Sequence, residues 1–295
     1  MAISTTMIKE LREATGAGVL DCKKALEATN GDVDKATTLL RDKGLAAAAK
    51  KSSREANEGR VTVLVDEGAH IGAIVEVDCE TDFVARTEDF QSFVDDLTRQ
   101  VARQSGLSSV EDLLQQPFIS DEGHTVGEYI SGLVAKLGEN IVLRRFDRVE
   151  RDSPGLIEGY VHPGSRIGVL VHVSVDSEGV AKSPALFDVV HDLALQIAAA
   201  APQFIAVNDI PKATIEAQRA EYEAQLAGEN KPDHIKERII SGKLDKWYEE
   251  VSLLSQPFVK EDSLTIEKLL AQRGEELGDA LSVERFIRYE IGLGE

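Results

Sequence analysis

The first 54 residues carry apolar side chains at helical spacing in three short stretches. The first stretch, from about Thr5 to Ala14, ends at a glycine-rich turn, because glycine tolerates the backbone angles that terminate helices. A second helix is predicted from about Val19 to Asn30. A third is predicted to begin after Asp32, a good capping residue, and to end at Gly44. In the next stretch, at 46–59, the alanine-rich start could extend a helix and the polar end is typical of a linker.

An internal repeat organises the remaining residues. The strand pattern at 70–77 recurs at 166–173, an offset of 96 residues, and the helical pattern that follows keeps this offset. A later strand that begins at Arg145 recurs at an offset of 140 residues. The sequence therefore predicts two related units, 55–152 and 153–295, and the second contains 44 extra residues.

Both units combine strand and helix periodicity. Alternating β-branched residues around a glycine turn predict an antiparallel hairpin, and two helices and a last strand follow it. The extra residues of the second unit predict a helical hairpin at about 212–250, because two charged amphipathic stretches flank a Gly-Pro break. The predicted fold class is α+β: a three-helix module at 1–54, two related α+β units with antiparallel sheets, and a helical-hairpin insertion.

Charge excludes several classes of function. The chain has 33 Lys and Arg against 52 Asp and Glu, a formal net charge of −19, whereas residues 1–54 carry a net charge of +3. A body this acidic disfavours direct nucleic-acid binding. No apolar run reaches the ~18 residues of a membrane helix, and the N-terminus has charges where a signal peptide needs an apolar core. With only Cys22 and Cys79, the sequence favours a reducing cytoplasm.

The sequence lacks the motifs of common catalytic and cofactor sites. It contains no phosphate-binding loop and no nucleophile elbow, and its six histidines lack the paired spacing of a zinc helix. His172 and His191 lie within apolar patterns that are typical of core histidines. We therefore predict a protein that is not an enzyme, with no catalytic residues, no cofactor and no resident metal.

The segment at 76–86, E-V-D-C-E-T-D-F-V-A-R, differs from its counterpart in the second unit, although the surrounding scaffold is shared. A loop that diverges between two copies of a scaffold is where function is expected. Asp78, Glu80 and Asp82 alternate as on an exposed strand, and a metal-dependent hydrolase is the alternative that they suggest. Phe83 follows them, and its position fits a wedge for a partner's pocket and ordinary packing under the next helix equally well.

A second candidate surface lies in the N-terminal module, which we call the head. So short a module buries only a small core, so some apolar residues must stay near the surface. Val19 and Leu20, which follow the glycine-rich turn, are the pair best placed for exposure, although core positions fit the pattern equally well. With Leu11 and Lys23 nearby, we expect this pair to dock on a partner.

Two segments together resemble the signature segments of the bacterial translation elongation factor Ts family. They are L-R-E-A-T-G-A-G-V-L-D-C-K-K-A-L at 11–26 and E-V-D-C-E-T-D-F-V-A at 76–85. Segments at 160–171 and 249–259 resemble the family as well, so the resemblance covers essentially the whole chain in order. It implies a guanine-nucleotide exchange factor for elongation factor Tu, with a ubiquitin-associated-like head and a two-unit α+β core.

The residues expected to meet elongation factor Tu form three groups: Thr81, Asp82, Phe83 and Val84; Tyr160, His162 and Gly164; and Leu11, Val19, Leu20 and Lys23. The resemblance implies that the first group dislodges Mg²⁺ from the partner, after which GDP leaves. It implies that the second meets another domain of the partner, and we expect the head group to dock on the nucleotide-binding domain. An adaptor of the ubiquitin-associated type without exchange activity is the alternative, and dimerisation within the complex stays open.

Overall fold

The computed structural model describes residues 3–68 and 70–293, so the outermost residues of the predicted head and second unit, and residue 69, lie outside the described part. Three helices form the head: α1 Thr5–Thr15, α2 Val19–Ala28 and α3 Val33–Lys51. The side chains of Ser4 and Asp32 cap α1 and α3. The helices enclose a small core of six buried residues: Leu11, Cys22, Ala25, Leu26, Ala36 and Leu40.

The first unit is a three-stranded antiparallel sheet with helices on one face. Its elements are β1 Glu58–Asp66, β2 Ile71–Cys79, α4 Asp82–Ala85, α5 Glu88–Arg103, α6 Val110–Leu114, β3 Pro117–Phe118, β4 Asp121–Thr125, α7 Val126–Leu137 and β5 Ile141–Glu150. The sheet order is β1-β2-β5. Phe90, Phe93 and Leu97 are fully or almost fully buried at helical spacing, so α5 buries one face on this sheet.

The second unit repeats this plan. Its elements are β6 Gly155–Val161, β7 Ile167–Ser174, α8 Glu178–Ala181, α9 Pro184–Ala200, α10 Lys212–Leu226, α11 Asp233–Val251, β8 Pro257–Phe258, β9 Glu261–Thr265, α12 Ile266–Leu277 and β10 Ser282–Glu290. The sheet order β6-β7-β10 matches β1-β2-β5 position by position. The α+β class, the three-helix head and the helical hairpin formed by α10 and α11 confirm the predicted fold class.

The third head helix continues past Gly44, so the predicted end at this residue is wrong. A Cβ atom at Gly44 would lie 3.7 Å from Ala135 Cβ of α7, so the glycine lets two helices approach closely instead of stopping one. The Arg41 guanidinium pairs with Glu128 at 2.7 Å at the same contact. Lys51 Nζ, at the end of α3, donates to the Val134 carbonyl at 3.2 Å. The head is therefore attached to the first unit along α7.

The two sheets pack against each other on the faces that their own helices leave free. A separate core lies between them, formed by Val61, Ile74, Val149, Ile157, Leu170, Ile287, Tyr289 and Ile291. The Val61 N–H of the first unit donates to the Ser165 carbonyl of the second at 2.8 Å. The sequence did not predict this junction. Among the helices of the described residues, none combines the length and apolar character that a membrane crossing requires.

Candidate functional site

Phe83 projects from α4, a one-turn helix that directly follows β2. Its side chain is 80% exposed, more than any other large apolar side chain of the described residues. The adjacent Val84 is buried in the core of the first unit. This corrects the expectation that the Val84 side chain meets a partner, because Val84 attaches the helix while the next side chain faces water. We call Phe83 on α4 the knob, since its ring can be buried only against another molecule.

Thr81 fixes the base of the knob. Its backbone N–H donates to Glu139 Oε2 at 3.0 Å, and its hydroxyl donates to Glu139 Oε1 at 2.7 Å. Hydrogen bonds to a carboxylate are stronger than neutral ones, so α4 cannot swing away without breaking both. We call Thr81 and Glu139 the clamp. The Cys79 thiol also donates to the Thr81 carbonyl at 3.1 Å, and burial raises the pKa of Cys79 to about 12, so this donor keeps its proton.

The second unit repeats the clamp without the knob. Ser177 caps α8 as Thr81 caps α4, and Asp279 accepts the N–H groups of Asp176 and Ser177 at 2.8 and 3.0 Å. Asp279 lies at the repeat offset of 140 residues from the clamp carboxylate. The same loop backbone is therefore kept in both units, although the sequence indicated that only the surrounding scaffold was. The divergence is in the side chains, and Gly179 occupies the position of Phe83.

Asp78 is not on an exposed strand position, as the alternating pattern had indicated. It is buried on β2, and its Oδ2 atom accepts from Arg144 Nε at 2.7 Å. Glu76 is also buried and accepts from Arg145 Nε at 2.6 Å. Burial raises the pKa of both carboxyls, although the arginines act in the opposite direction. These pairs join β2 to β5, with the carboxylates buried and the arginine side chains partly exposed.

The other two acids of this segment face separate partners. Glu80 accepts from the Asn140 N–H at 2.7 Å and pairs with Arg54 at 3.2 Å, and the backbone hydrogen bond, with a contribution from Arg54, lowers its pKa. Asp82 pairs with Arg86 at 2.9 Å on the surface. Within residues 3–68 and 70–293, no group of three or more His, Cys, Asp or Glu side chains could hold a metal ion. The arrangement therefore gives no support to the hydrolase alternative.

The head presents Val19 and Leu20 at the start of α2. Their side chains are 54% and 71% exposed, so both are accessible to a partner. Lys23 is also exposed, and its Nζ lies 3.8 Å from Glu27. Leu11, however, is fully buried in the head core. This corrects the expectation for Leu11, because its side chain supports α2 from beneath and cannot touch another protein.

The turn between β6 and β7 carries His162 into solvent. The Tyr160 hydroxyl lies 2.9 Å from His162 Nδ1, and the two rings meet edge to face. Tyr160 is half-buried and packs against the core of the second unit, so it holds the exposed imidazole on a fixed base. Gly164 has φ of 92°, a backbone conformation that glycine adopts without strain. The turn is therefore well suited to hold His162 in one position.

His191 was expected in the core, but its side chain is partly exposed beside this turn. Its Nδ1 atom lies 3.0 Å from Glu158 Oε1, and its ring stacks on Phe187 with the centroids 5.8 Å apart. It also meets Tyr160 edge to face at 6.2 Å. Phe187 was not among the residues predicted from the sequence. The repeat offset places it opposite Gln91, and this change from a polar to an aromatic residue was the available signal.

Val19 and Leu20, which we call the head patch, lie at the same end of the first unit as the knob. A Cβ atom at Gly16, in the turn before Val19, would lie 3.3 Å from Lys136 Cδ. Lys136 is in the last turn of α7, and Glu139 of the clamp follows it by three residues. The C-terminal end of α7 therefore holds the turn that precedes the head patch on one side and the base of the knob on the other.

β1 connects the turn that carries His162 to the base of the knob. The Arg166 side chain pairs with Glu58 at the start of β1. Glu58 lies opposite Cys79 in the sheet, and Cys79 is two residues before the clamp threonine. Local contacts through α7 and β1 thus connect the three predicted groups. Exposed sites connected in this way on an acidic body are typical of a docking factor, a protein whose activity lies in its contacts with a partner.

Comparisons with known proteins identify which docking factor this is. The family model described as elongation factor Ts matches residues 80–293. Elongation factor Ts of Clostridium botulinum (strain Alaska E43 / Type E3) is 46% identical over 292 residues, which cover 99% of this chain and 94% of the relative. Elongation factor Ts of a Nitratiruptor species is 45% identical over 294 residues, which cover 100% and 94%. The chain belongs to the elongation factor Ts family, and membership implies the role of a nucleotide exchange factor for elongation factor Tu.

Proposed function

We propose that this protein accelerates GDP release from elongation factor Tu, in the cytoplasm, by displacing the Mg²⁺ ion that the partner holds with its nucleotide. It makes and breaks no covalent bond, so it is an exchange factor and not a catalyst of bond chemistry. One observation carries this proposal. The first unit holds an exposed Phe83 on a clamped helix, whereas the second unit keeps the clamp and has Gly179 instead. The ring is what the first unit adds to a shared scaffold.

An exchange factor must bind the nucleotide-free partner more tightly than the nucleotide-bound one. By thermodynamic linkage, the factor then weakens nucleotide binding by the same ratio. The nucleotide is held largely through its phosphates and Mg²⁺, so a factor that competed for the phosphates would need free cations. The loop instead carries Glu80 and Asp82, and its Arg86 is already paired with Asp82. A wedge is therefore the better mechanism for this loop.

Phe83 supplies the wedge. The ring enters an apolar slot near the partner's metal site and shifts the segment that holds Mg²⁺, while Asp82 hydrogen-bonds groups that would otherwise face the metal or its waters. Thr81 and Val84 act from beneath, since the clamp and the core fix the helix that carries the ring. A helix that is already fixed loses little conformational freedom on binding, so more of the burial energy of the ring is available to distort the partner.

The other two sites hold the partner while the wedge acts. Val19 and Leu20 dock on the nucleotide-binding domain, and His162 on its Tyr160 base meets a second domain. The slightly basic head and the acidic body offer different surfaces to these two domains. Contacts on two domains fix the orientation of the partner, so the wedge always meets the same slot.

Release of labelled GDP from elongation factor Tu tests the proposal. Burying a Phe side chain stabilises a complex by about 1.5–3 kcal/mol, and four-fifths of this ring is available, so Phe83→Ala should slow stimulated release roughly 10- to 60-fold at millimolar Mg²⁺. Asp82→Ala should have a smaller effect. Val259→Ala is the matched control, because Val259 is 51% exposed elsewhere on the surface, and it should exchange like wild type.

The dependence of GDP release on Mg²⁺ is the second part of this test. Chelating Mg²⁺ should shrink the advantage of wild type over Phe83→Ala, because the step that the ring drives is then already complete. If Phe83→Ala releases GDP as fast as wild type at millimolar Mg²⁺, the wedge is wrong. Wild-type binding without any faster release would instead support the adaptor alternative, in which the exposed head pair acts alone.

A further inference from the structure

The junction between the two sheets physically connects the knob to the turn that carries His162. On the knob side, α4 packs against β1, the edge strand of the first sheet. On the other side, the Val61 N–H of β1 donates to the Ser165 carbonyl in the turn itself, at 2.8 Å. Glu58 at the start of β1 pairs with Arg166, the next residue of the turn. One strand therefore separates the two proposed contact sites.

The opposite side of the junction is pinned as well. Asp147 of β5 accepts from the Tyr289 hydroxyl at 2.8 Å and from Arg285 at 2.7 Å, and both donors lie on β10. The Arg145 guanidinium lies over the Tyr289 ring, 4.2 Å from its centroid. The two sheets are thus bonded at both sides of their apolar contact, so they behave as one body rather than as two hinged units.

Gly168 and Gly159 are the glycines of β7 and β6 that let the sheets approach closely on the β1 side. A Cβ atom at Gly168 would lie 2.4 Å from Val61 Cγ1 and 3.4 Å from Ile74 Cδ1. The first distance is too short for any real contact. Valine is stiff at χ1, so Val61 cannot rotate its methyl group away without strain. Gly168 is not among the residues with positive φ, so its backbone conformation would accept alanine. Glycine is needed at this position only because a larger side chain would not fit.

We propose that Gly168 and Val61 form a positioning contact that fixes the separation between Phe83 and His162, so that both reach elongation factor Tu together. This inference rests on the proposed exchange function. A partner gripped at two sites gains from both only while their spacing matches, and a misplacement of about 1 Å can cost a hundredfold in rate. An added methyl group between the sheets would leave each site intact but move one relative to the other.

Substitutions at the contact separate positioning from stability. Gly168→Ala should slow stimulated GDP release about tenfold or more, and Val61→Ala alone should slow it less, because it opens a gap without pushing the sheets apart. The double variant Gly168→Ala with Val61→Ala removes the 2.4 Å clash and leaves Val61 Cβ at 3.3 Å, so release should largely recover even though its melting temperature falls below that of wild type. Gly179→Ala is the matched control, because a Cβ atom there meets nothing within 4 Å. Additive loss in the double variant would overturn the proposal.

A distance measurement on the protein alone tests the effect of the same contact on the separation of the two sites, in the absence of the partner. Nitroxide labels at Glu88→Cys, close to the knob, and Pro163→Cys, in the turn, report their separation, and the native Cys22 and Cys79 are buried away from the label. We expect one narrow distance in wild type and in the double variant, and a longer or broader one in Gly168→Ala. An unchanged distance in Gly168→Ala overturns the positioning role whatever the exchange assay gives. Failure of the exchange function would instead show as a wild-type protein that does not accelerate GDP release.

Discussion

Replacing Glu139 by alanine removes the acceptor of both hydrogen bonds that hold the base of the knob. Hydrogen bonds to charged groups contribute about 1.5–3 kcal/mol each, and partial exposure of the carboxylate reduces this, so we take about 2 kcal/mol for the pair. If that energy holds α4 in its active pose, the equilibrium constant for that pose falls roughly 30-fold. Stimulated GDP release should therefore fall by up to roughly 30-fold, while Val84 keeps the chain attached to the core.

The second unit supplies the control for this experiment. Asp279→Ala removes the equivalent carboxylate in a loop that carries Gly179 instead of an aromatic ring. It should lower the melting temperature, as Glu139→Ala does, yet leave GDP release unchanged. Combining Glu139→Ala with Phe83→Ala should be no worse than Phe83→Ala alone, because both act on one contact.

Two outcomes would contradict this reasoning. Wild-type release by a folded Glu139→Ala protein would show that the clamp does not position the ring. An equal loss of release in Asp279→Ala and Glu139→Ala would show that general stability, and not the knob, limits exchange. Circular dichroism and thermal melts on all four variants establish that each is folded before release is compared.

Three further predictions concern other parts of the molecule. Val19→Asp with Leu20→Asp should weaken partner binding by about 2 kcal/mol or more in calorimetry. The circular-dichroism spectrum should stay unchanged, because both side chains are exposed and do not belong to the core. Unchanged affinity would contradict this docking role. His162→Ala should raise the dissociation rate from elongation factor Tu several-fold in surface-binding kinetics, and an unaltered rate, or a complex with His162 far from the partner, would exclude this anchor. Burial lowers the pKa of His172 below its usual 6.5. The stability that the neutral, buried imidazole contributes is therefore complete above about pH 6.5 and is lost as the pH falls below that value. The melting temperature of His172→Leu should fall less than that of wild type between about pH 7.5 and 5.5, and an equal fall in both proteins would contradict that role.

Periodicity predicted the elements of this fold because each helix and strand buries one face. The repeat predicted two similar sheets because duplicated units keep their apolar spacing. Gly44 misled the prediction, since a glycine that ends a helix and one that lets two helices touch look the same in sequence. Phe83 and Val84 could not be told apart, because a one-turn helix is too short for its apolar pattern to show which neighbour faces inward.

The parts of the site that sequence could not reveal depend on distant residues. Glu139 is 58 residues from Thr81, and no local pattern links an acid after one helix to a threonine before another. The sheet junction was hidden for a related reason. The strand patterns predicted two hairpins, but not that both faces of β2 and β7 would be buried or that Gly168 would lie against Val61. Contacts of this kind follow from the assembled fold and not from the spacing of residues along the chain.

An exposed aromatic ring and an exposed apolar pair have a consequence for the protein's behaviour in concentrated solution. The exposed apolar surface of the molecule, which includes Phe83, Val19 and Leu20, favours association of two copies of the chain. The net charge of −19 opposes such encounters, because like-charged molecules repel over about 8–10 Å at physiological ionic strength. The acidic body therefore acts as a colloidal stabiliser. It keeps these surfaces vacant for a partner whose own charge pattern allows close approach.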